Sequence, residues 1–225
     1  YESGVLEKVL EVSEYEQYAR DGKMVAVRCA HDGEITHLDT GAYKCGICNA
    51  LINPVAQLTD AEGSSTYYMD RSKALTAVQA SGGTLKLLDD WVGRQFTAEQ
   101  GTFTLDLNGK KLYDRTSGGS YPVLLVTGTA NLTLINTADT QAQVLCYSPS
   151  SIARAIEINS ANARLQVGNT DGSASNIDVP HYRSAAALYV TDGTVRLYGG
   201  RLGSAKITKT DGMLIDLLPD GRAFS

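Results

Sequence analysis

Long apolar runs are missing from this chain. No stretch of about 18 consecutive apolar residues exists, so no transmembrane helix and no membrane insertion are expected. Basic residues are in deficit, 20 Lys and Arg against 25 Asp and Glu, and the net charge is −5. A chain of that balance builds no positive field for nucleic acid or for an anionic membrane surface, so neither is expected as a partner. No leader-like pattern opens the sequence. It starts at Tyr1 and stops at Ser225, as a mature form or one excised piece of a longer multidomain chain would.

What is present points to strands. Tyr outnumbers Phe twelve to three, and Gly occurs 22 times among 225 residues. Tyr, Thr, Gly and Asn in quantity, with few long charged helices, describe a β-rich protein with many turns. The size fits one large domain, or a medium one with a small companion. Gly4 to Gly22 reads as one or two short helices, with Ser13 and Glu16 spaced as a capping box and Asp21-Gly22 as the stop. Lys23–Arg28 alternates like a strand, and Asn49–Ala56 reads as a strand interrupted by Pro54. Thr66–Met69 reads as another short strand. Asp70 is then placed to cap a helix over Arg71–Ala80, with Ala74, Leu75 and Val78 on one face.

From Thr84 onward short apolar alternations recur between small polar turns. Three segments, LLVTGTANLTLIN, IEINSANARLQVGN and LYVTDGTVRLYGG, share a plan of strand, short turn, strand and a closing Asn or Gly. Their first strands end at Val126, Ile158 and Val190, a period of 32 residues. Repeats of that size without intervening helices fit a right-handed parallel β-helix, whose coils bury their apolar side chains only when stacked. An antiparallel sandwich also shows short alternating strands, but does not readily give the recurrence. The open end of a stack needs covering, and the Arg71–Ala80 helix stands where a plug would be.

The stretch STYYMDRSKALTAVQASGGTLKLLDDW, followed by FTLDLNGKKL, resembles a module common in large surface proteins of Gram-positive, often gut-dwelling, bacteria. The ending Met213–Phe224 also resembles the Leu-Leu-x-x-Gly-x-Ala-Phe close of such modules, so the likeness runs from Leu58 to Phe224. It implies a pectate-lyase-like β-helix that is not a lyase. It also implies an extracellular setting at the cell surface or cell wall, within a longer multidomain chain.

Three of the four cysteines and two of the three histidines fall between Cys29 and Cys48. The spacing is Cys29-x-His31, thirteen residues, then Cys45-x-x-Cys48. A CxxC turn presents two sulfurs from one knuckle, and a Cys-x-His pair from another strand completes a tetrahedron. Four protein ligands leave no open coordination position, which makes the expected zinc structural and not catalytic. His37 is the reserve ligand. A disulfide between two of these cysteines, or a Cys45/Cys48 redox pair, remains open at this point. Cys146, in the apolar run Gln143–Tyr147, is expected to be a buried free thiol.

A polysaccharide-cleaving enzyme on a β-helix needs facing carboxylates, or clustered Asp for calcium with a basic proton acceptor. The candidate acids are Asp89, Asp90, Asp106, Asp114, Asp139, Asp171, Asp178 and Asp192; Asp89-Asp90 is the adjacent pair, Asp106 reads as a turn cap, and Asp171-Gly172 and Asp192-Gly193 read as turn dipeptides. His181 has no recognisable acid partner, and no catalytic residue is assigned. Tyr113, Tyr121, Tyr147, Tyr182, Tyr189 and Tyr198 are spread over the repeats, where exposed rings would stack on sugars; Tyr189 and Tyr198 are expected to pack within strands. Asn108 and Asn136 share a turn position suited to an internal polar ladder.

The expectation is therefore a mainly β protein in three parts: 1–57, an N-terminal helix with a small α+β zinc-ribbon-like element; 58–83, a strand and capping helix; and 84–225, a parallel β-helix. The expected role is a non-catalytic extracellular surface module, a structural spacer or adhesin that contacts glycans or host surface proteins. The alternative is a carbohydrate-active enzyme, a polysaccharide lyase or glycoside hydrolase, on the same scaffold.

Overall fold

In the computed structural model the described residues are 15–20, 23–93, 95–114, 121–147, 154–180, 186–203, 205–207 and 214–217. Within them the fold is mainly β with one short helix, and no helix is long and apolar enough to cross a membrane.

The chain begins with an antiparallel pair, β1 (Tyr15–Arg20) and β2 (Lys23–Arg28). Over Tyr15–Arg20 this corrects the helix expected from Gly4 to Gly22; residues 4–14 and 21–22 lie outside the described set. The dipeptide separating the paired Arg20 and Lys23 is Asp21-Gly22. Asp-Gly between two strands favours a two-residue hairpin link over a helix end. Next come β3 (Ile35–His37), β4 (Tyr43–Cys45) and β5 (Leu51–Ile52), a three-stranded antiparallel sheet. The described part of residues 1–57 therefore holds strands only, in place of the expected α+β element.

Strands β6 (Ala56–Thr59) and β7 (Ser65–Tyr68) form a hairpin, followed by α1 (Arg71–Ser81). The helix starts where its sequence says it should. The Asp70 side chain accepts the Lys73 N–H at 2.8 Å, satisfying one of the free donors of the first turn. It stops at Gly82, whose φ of 74° suits glycine and whose N–H closes onto the Val78 carbonyl at 2.8 Å. Ala74 and Val78 are fully buried and join the main core.

The remaining strands are β8 (Gly83–Leu87), β9 (Trp91–Val92), β10 (Phe96–Ala98), β11 (Thr102–Asp106), β12 (Lys111–Asp114) and β13 (Leu124–Val126). They continue through β14 (Asn131–Ile135), β15 (Ala142–Cys146), β16 (Arg154–Val167), β17 (Ile177–Val179) and β18 (Ala186–Leu197). The last are β19 (Arg201–Leu202), β20 (Ala205–Ile207) and β21 (Leu214–Leu217). All the recorded pairings among these strands are parallel. One file runs β8, β11, β14, β16, β18, β21, and a second runs β10, β13, β16, β18, β20. A third runs β9, β12, β15, β17, β19. The sequence repeat is visible in the register: Val126 pairs with Ile158, and Ile158 with Val190.

Parallel stacking in register aligns like residues. Leu85, Leu105, Leu134, Val167 and Leu197 are successive partners, and the first three have no exposed surface. Phe103, Leu132, Leu165 and Val195 make a second buried row. Burying each such side chain contributes about 1.5–3 kcal/mol, and every strand adds to the same continuous core. Two of the expected strand–turn–strand repeats are each one long strand, β16 and β18, bent at register irregularities near Asn159 and Asp192. Asp192-Gly193 is therefore an irregularity inside a strand, not a turn. Gly193 has φ 96°, and a Cβ there would lie 2.7 Å from the carbonyl oxygens of both Ser160 and Ala163.

The first parallel strand would present an open edge. The β6–β7 hairpin closes it, because β6 pairs antiparallel with β8 (Leu58 opposite Leu85). The expected helix plug is thus supplemented by a strand, for a plain reason. A helix can cover apolar side chains, but only another strand can satisfy a row of backbone donors and acceptors.

Candidate metal centre

The small antiparallel sheet brings its cysteines together by pairing Ile35 with Cys45. Cys45 ends β4 and opens a tight knuckle: the Asn49 N–H reaches back to the Cys45 carbonyl at 2.9 Å, and the Cys45 N–H bonds the Ala50 carbonyl at 3.0 Å. Asn49 takes φ 60°, a left-handed turn that Asn tolerates. Gly46 is required by a close approach. Its N–H bonds the Glu34 carbonyl at 2.8 Å, and a Cβ would sit 2.9 Å from that oxygen. The facing loop carries Cys29 and His31. His31 also adopts a left-handed conformation, φ 53°, and its N–H points at the Cys29 sulfur, 3.4 Å away.

One ligand atom from each of Cys29, His31, Cys45 and Cys48 lies within 4.8 Å of all the others. The Cys29 and Cys45 sulfurs are 3.7 Å apart, and the Cys48 sulfur is 3.5 Å from His31 Nδ1. The three thiols are buried and the imidazole half-buried. Cys29, Cys45, Cys48 and Cys146 are all buried and outside any disulfide. Sulfurs 3.7 Å apart are far from the roughly 2.05 Å of a disulfide. Burial, together with hydrogen bonds from Cys45 and Cys48 and against a lowering from the His31 N–H, pushes the Cys29 thiol up to about 12. A bound cation reverses that preference, because it stabilises the thiolate directly. The four residues can therefore hold a metal ion.

His37, the reserve ligand, is not in the group. It is exposed on β3 and stacks on Tyr43 at 4.7 Å. Tyr43 in turn meets Tyr67 of β7 edge-on at 4.9 Å. Tyr43, Tyr67 and Met69 pack against the small cluster formed by Cys29, Ile35, Cys45, Cys48, Ala50 and Ile52. Lys73 on α1 reaches Asp32 beside the metal-ligand loop at 3.7 Å.

Elsewhere the candidate acids are engaged in architecture. Asp106 is buried and accepts hydrogen bonds from the N–H groups of Asn108 and Thr137 and from the Thr137 hydroxyl at 2.6 Å. Asn108 donates to the Leu87 carbonyl, while Asn136 accepts from the Gly109 N–H and donates to the Thr140 and Asn176 carbonyls. These contacts join neighbouring parallel strands, as the polar-ladder reading expects. Asp89 pairs with Arg71, and Asp90 accepts the Lys111 N–H. Asp171 accepts the Ser173 N–H within a turn.

Two further acids are buried: Asp178, one of the candidate acids, and Glu157, which sequence reasoning missed. Asp178 takes a two-point contact from Arg201, at 2.7 and 3.2 Å, whose pKa it raises through those hydrogen bonds. Glu157 is paired with Arg154, and that guanidinium lies 4.0 Å over the Tyr189 ring. The partner of Asp178 comes from the neighbouring strand, where Arg201 stands opposite it, while Glu157 is met by Arg154 of its own strand, three residues before it. Tyr121 and Tyr147 are exposed, Tyr147 meeting Tyr113 edge-on at 5.9 Å, while Tyr113, Tyr189 and Tyr198 are half-buried. His181 and Tyr182 lie outside the described residues. A shallow polar cavity of about 490 Å³ lies along the ladder, lined by residues 136–139 and 173–176.

No known protein family, curated protein or solved structure matches this chain.

Proposed function

We propose that this chain is a non-catalytic surface module: a right-handed parallel β-helix of about five coils carrying a zinc-stabilised element at its N-terminal end. The three files of parallel strands carry this reading, with 32-residue register partners such as Val126, Ile158 and Val190 and apolar rows continuous through them. Such a stack is stiff along its axis, because each coil is hydrogen-bonded to the next over its whole contour. Stiffness suits a spacer that holds other modules away from a bacterial surface, and exposed Tyr121 and Tyr147 suit contact with glycans or host surface proteins. The extracellular setting follows from the surface-protein resemblance of residues 58–224 alone.

Zinc is the favoured ion. Tetrahedral zinc with three thiolates and one imidazole places sulfurs about 3.8 Å apart and sulfur and nitrogen about 3.6 Å apart. The distances of 3.7 and 3.5 Å fit that edge length. Three sulfurs and a nitrogen disfavour calcium and magnesium, which take oxygen. A four-ligand site leaves no position for substrate, so the zinc would be structural.

A non-catalytic role is supported by the state of the buried carboxylates. Asp106, Asp178 and Glu157 each have partners within the fold. The test is a glycan array run beside a reducing-end assay on plant and host polysaccharides. Retention on glycans without chain cleavage is the expected result, and release of new reducing ends would replace this reading with a carbohydrate-active enzyme.

A further inference from the structure

Among the arginines whose side chains are described, Arg71 is tied to Asp89, Arg154 to Glu157 and Arg201 to Asp178. Arg164 and Arg196 differ. Both are exposed, and neither makes an ion pair or a side-chain hydrogen bond among the described residues. On a chain of net charge −5 they are a local excess of positive charge.

Register puts the two on one face. Arg164 of β16 stands opposite Thr194 of β18, and Gln166 opposite Arg196. The two arginines are therefore diagonal neighbours, their Cα atoms about 8 Å apart for adjacent strands of ordinary spacing and rise. They belong to two rows that cross β11, β14, β16 and β18 along the axis of the stack. One row is Thr104, Thr133, Gln166 and Arg196; the other is Thr102, Asn131, Arg164 and Thr194. The residues between the rows, Phe103, Leu132, Leu165 and Val195, are buried, so strand alternation turns both rows outward. Every outward position is a hydroxyl, an amide or a guanidinium. Asp192, two residues before Thr194, accepts the Gly193 N–H at 2.8 Å. The one acid among the register partners of the rows is Asp216 of β21, beyond Arg196.

Such a face selects its partner by chemistry. A protein interface centres on apolar and aromatic side chains, and a single-stranded nucleic acid needs rings to stack on. These rows carry neither. A polysaccharide laid along the axis offers hydroxyls to the threonines and amides, and its acidic groups meet guanidiniums whose planar fork matches an oxyanion.

We infer that the outer face of β11, β14, β16 and β18 binds an acidic polysaccharide, its carboxylate or sulfate groups seated on Arg164 and Arg196. This rests on the proposed reading of the chain as a glycan-contacting module, and it names a site other than Tyr121 and Tyr147.

The experiment measures retention of the full chain on alginate, which carries carboxylates, on dextran sulfate, and on neutral dextran. The expected result is retention on one or both acidic polymers and not on dextran, weakened by added salt because exposed charges are screened. The acidic polymer that binds more tightly identifies the group. Arg164→Gln and Arg196→Gln should each weaken binding roughly fivefold, the weight of an exposed ion pair. The double variant should bind acidic polymer no better than dextran. Lys111→Gln, which removes the same charge from exposed β12, should change nothing. Denaturation midpoint and metal content are measured on every variant, and Arg196→Lys, which keeps the charge without the fork, should fall between wild type and Arg196→Gln. Equal retention on dextran, a folded double variant that binds like wild type, or an equal loss with Lys111→Gln overturns the inference and leaves the glycan reading standing. No retention on any of the three polymers also overturns it, and if the glycan array is blank as well, the glycan reading falls with it.

Discussion

Residues 29–52 and 83–202 solve the same problem by opposite means. The first region has a small antiparallel sheet and a cluster of six buried residues, so its apolar burial is slight. Four side chains converging within 4.8 Å could hold an ion, and under the zinc reading proposed above that ion supplies what the core lacks. The second needs no ion, because each added strand extends a dry interior already begun by the last, as in the row from Leu85 to Leu197. One region depends on a few strong bonds at a point, the other on many weak contacts spread over length. A single perturbation should therefore destroy the first and only soften the second.

Metal removal should separate them most sharply. Structural zinc contributes an apparent ~10–16 kcal/mol in small zinc modules. Cys45→Ser should abolish zinc binding by elemental analysis and unfold residues 29–52, while far-UV circular dichroism of the strands persists. Cys146→Ser should leave the stoichiometry at one. Loss of the whole β signal with the metal would dissolve the distinction between the regions.

Within the stack, Leu134→Ala removes a fully buried side chain flanked above and below by Leu105 and Val167. A cost of about 2–5 kcal/mol is expected. Chemical denaturation should show it, with zinc content unchanged.

The pH response of the metal element carries a sign that depends on loading. Whatever fraction of the metal-free chain keeps this element folded holds Cys29 as a buried thiol, pushed from its ordinary 9.0 up to about 12. Its protonated form is favoured by folding, so that contribution is present below pH 9 and is lost as pH rises toward 12. With metal the sign reverses, because the thiol must ionise to bind. Each pH unit of acidification should then weaken binding by about 1.4 kcal/mol through Cys29 alone. Competition with a chromophoric chelator between pH 6 and pH 8, values chosen only to lie well below that pKa, reads this directly. An affinity independent of pH would rule out thiolate ligation.

The smallest effect belongs to the junction. Asp70→Ala removes the cap of α1 and should cost about 1 kcal/mol in thermal unfolding, without moving zinc affinity.

Much of this was legible residue by residue. The helix from Arg71 was announced by its Asp70 cap, and Asp106, Asn108 and Asn136 by their place in turns. The hairpin of β1 and β2 was misread because Ser13 and Glu16 imitate a capping box, while Asp21-Gly22 ends helices and links strands alike. Local spacing favoured His31, through Cys29-x-His31, and kept His37 in reserve. The pairing of Ile35 with Cys45 makes that choice, sending His37 to Tyr43 and leaving His31 with the thiols.

By itself, then, the sequence determined the ligand types and their spacing, the alternation that buries one face of each strand, and the 32-residue repeat. These are local or periodic properties, set by side-chain chemistry and by the two-residue period of a strand. Only the tertiary structure decided which edge β6 closes, that Asp178 lies buried beside Arg201, and which aromatic rings brace the cysteine element. Those depend on register between segments remote in the chain, and register is settled by the sum of all cross-strand contacts, which no short stretch contains.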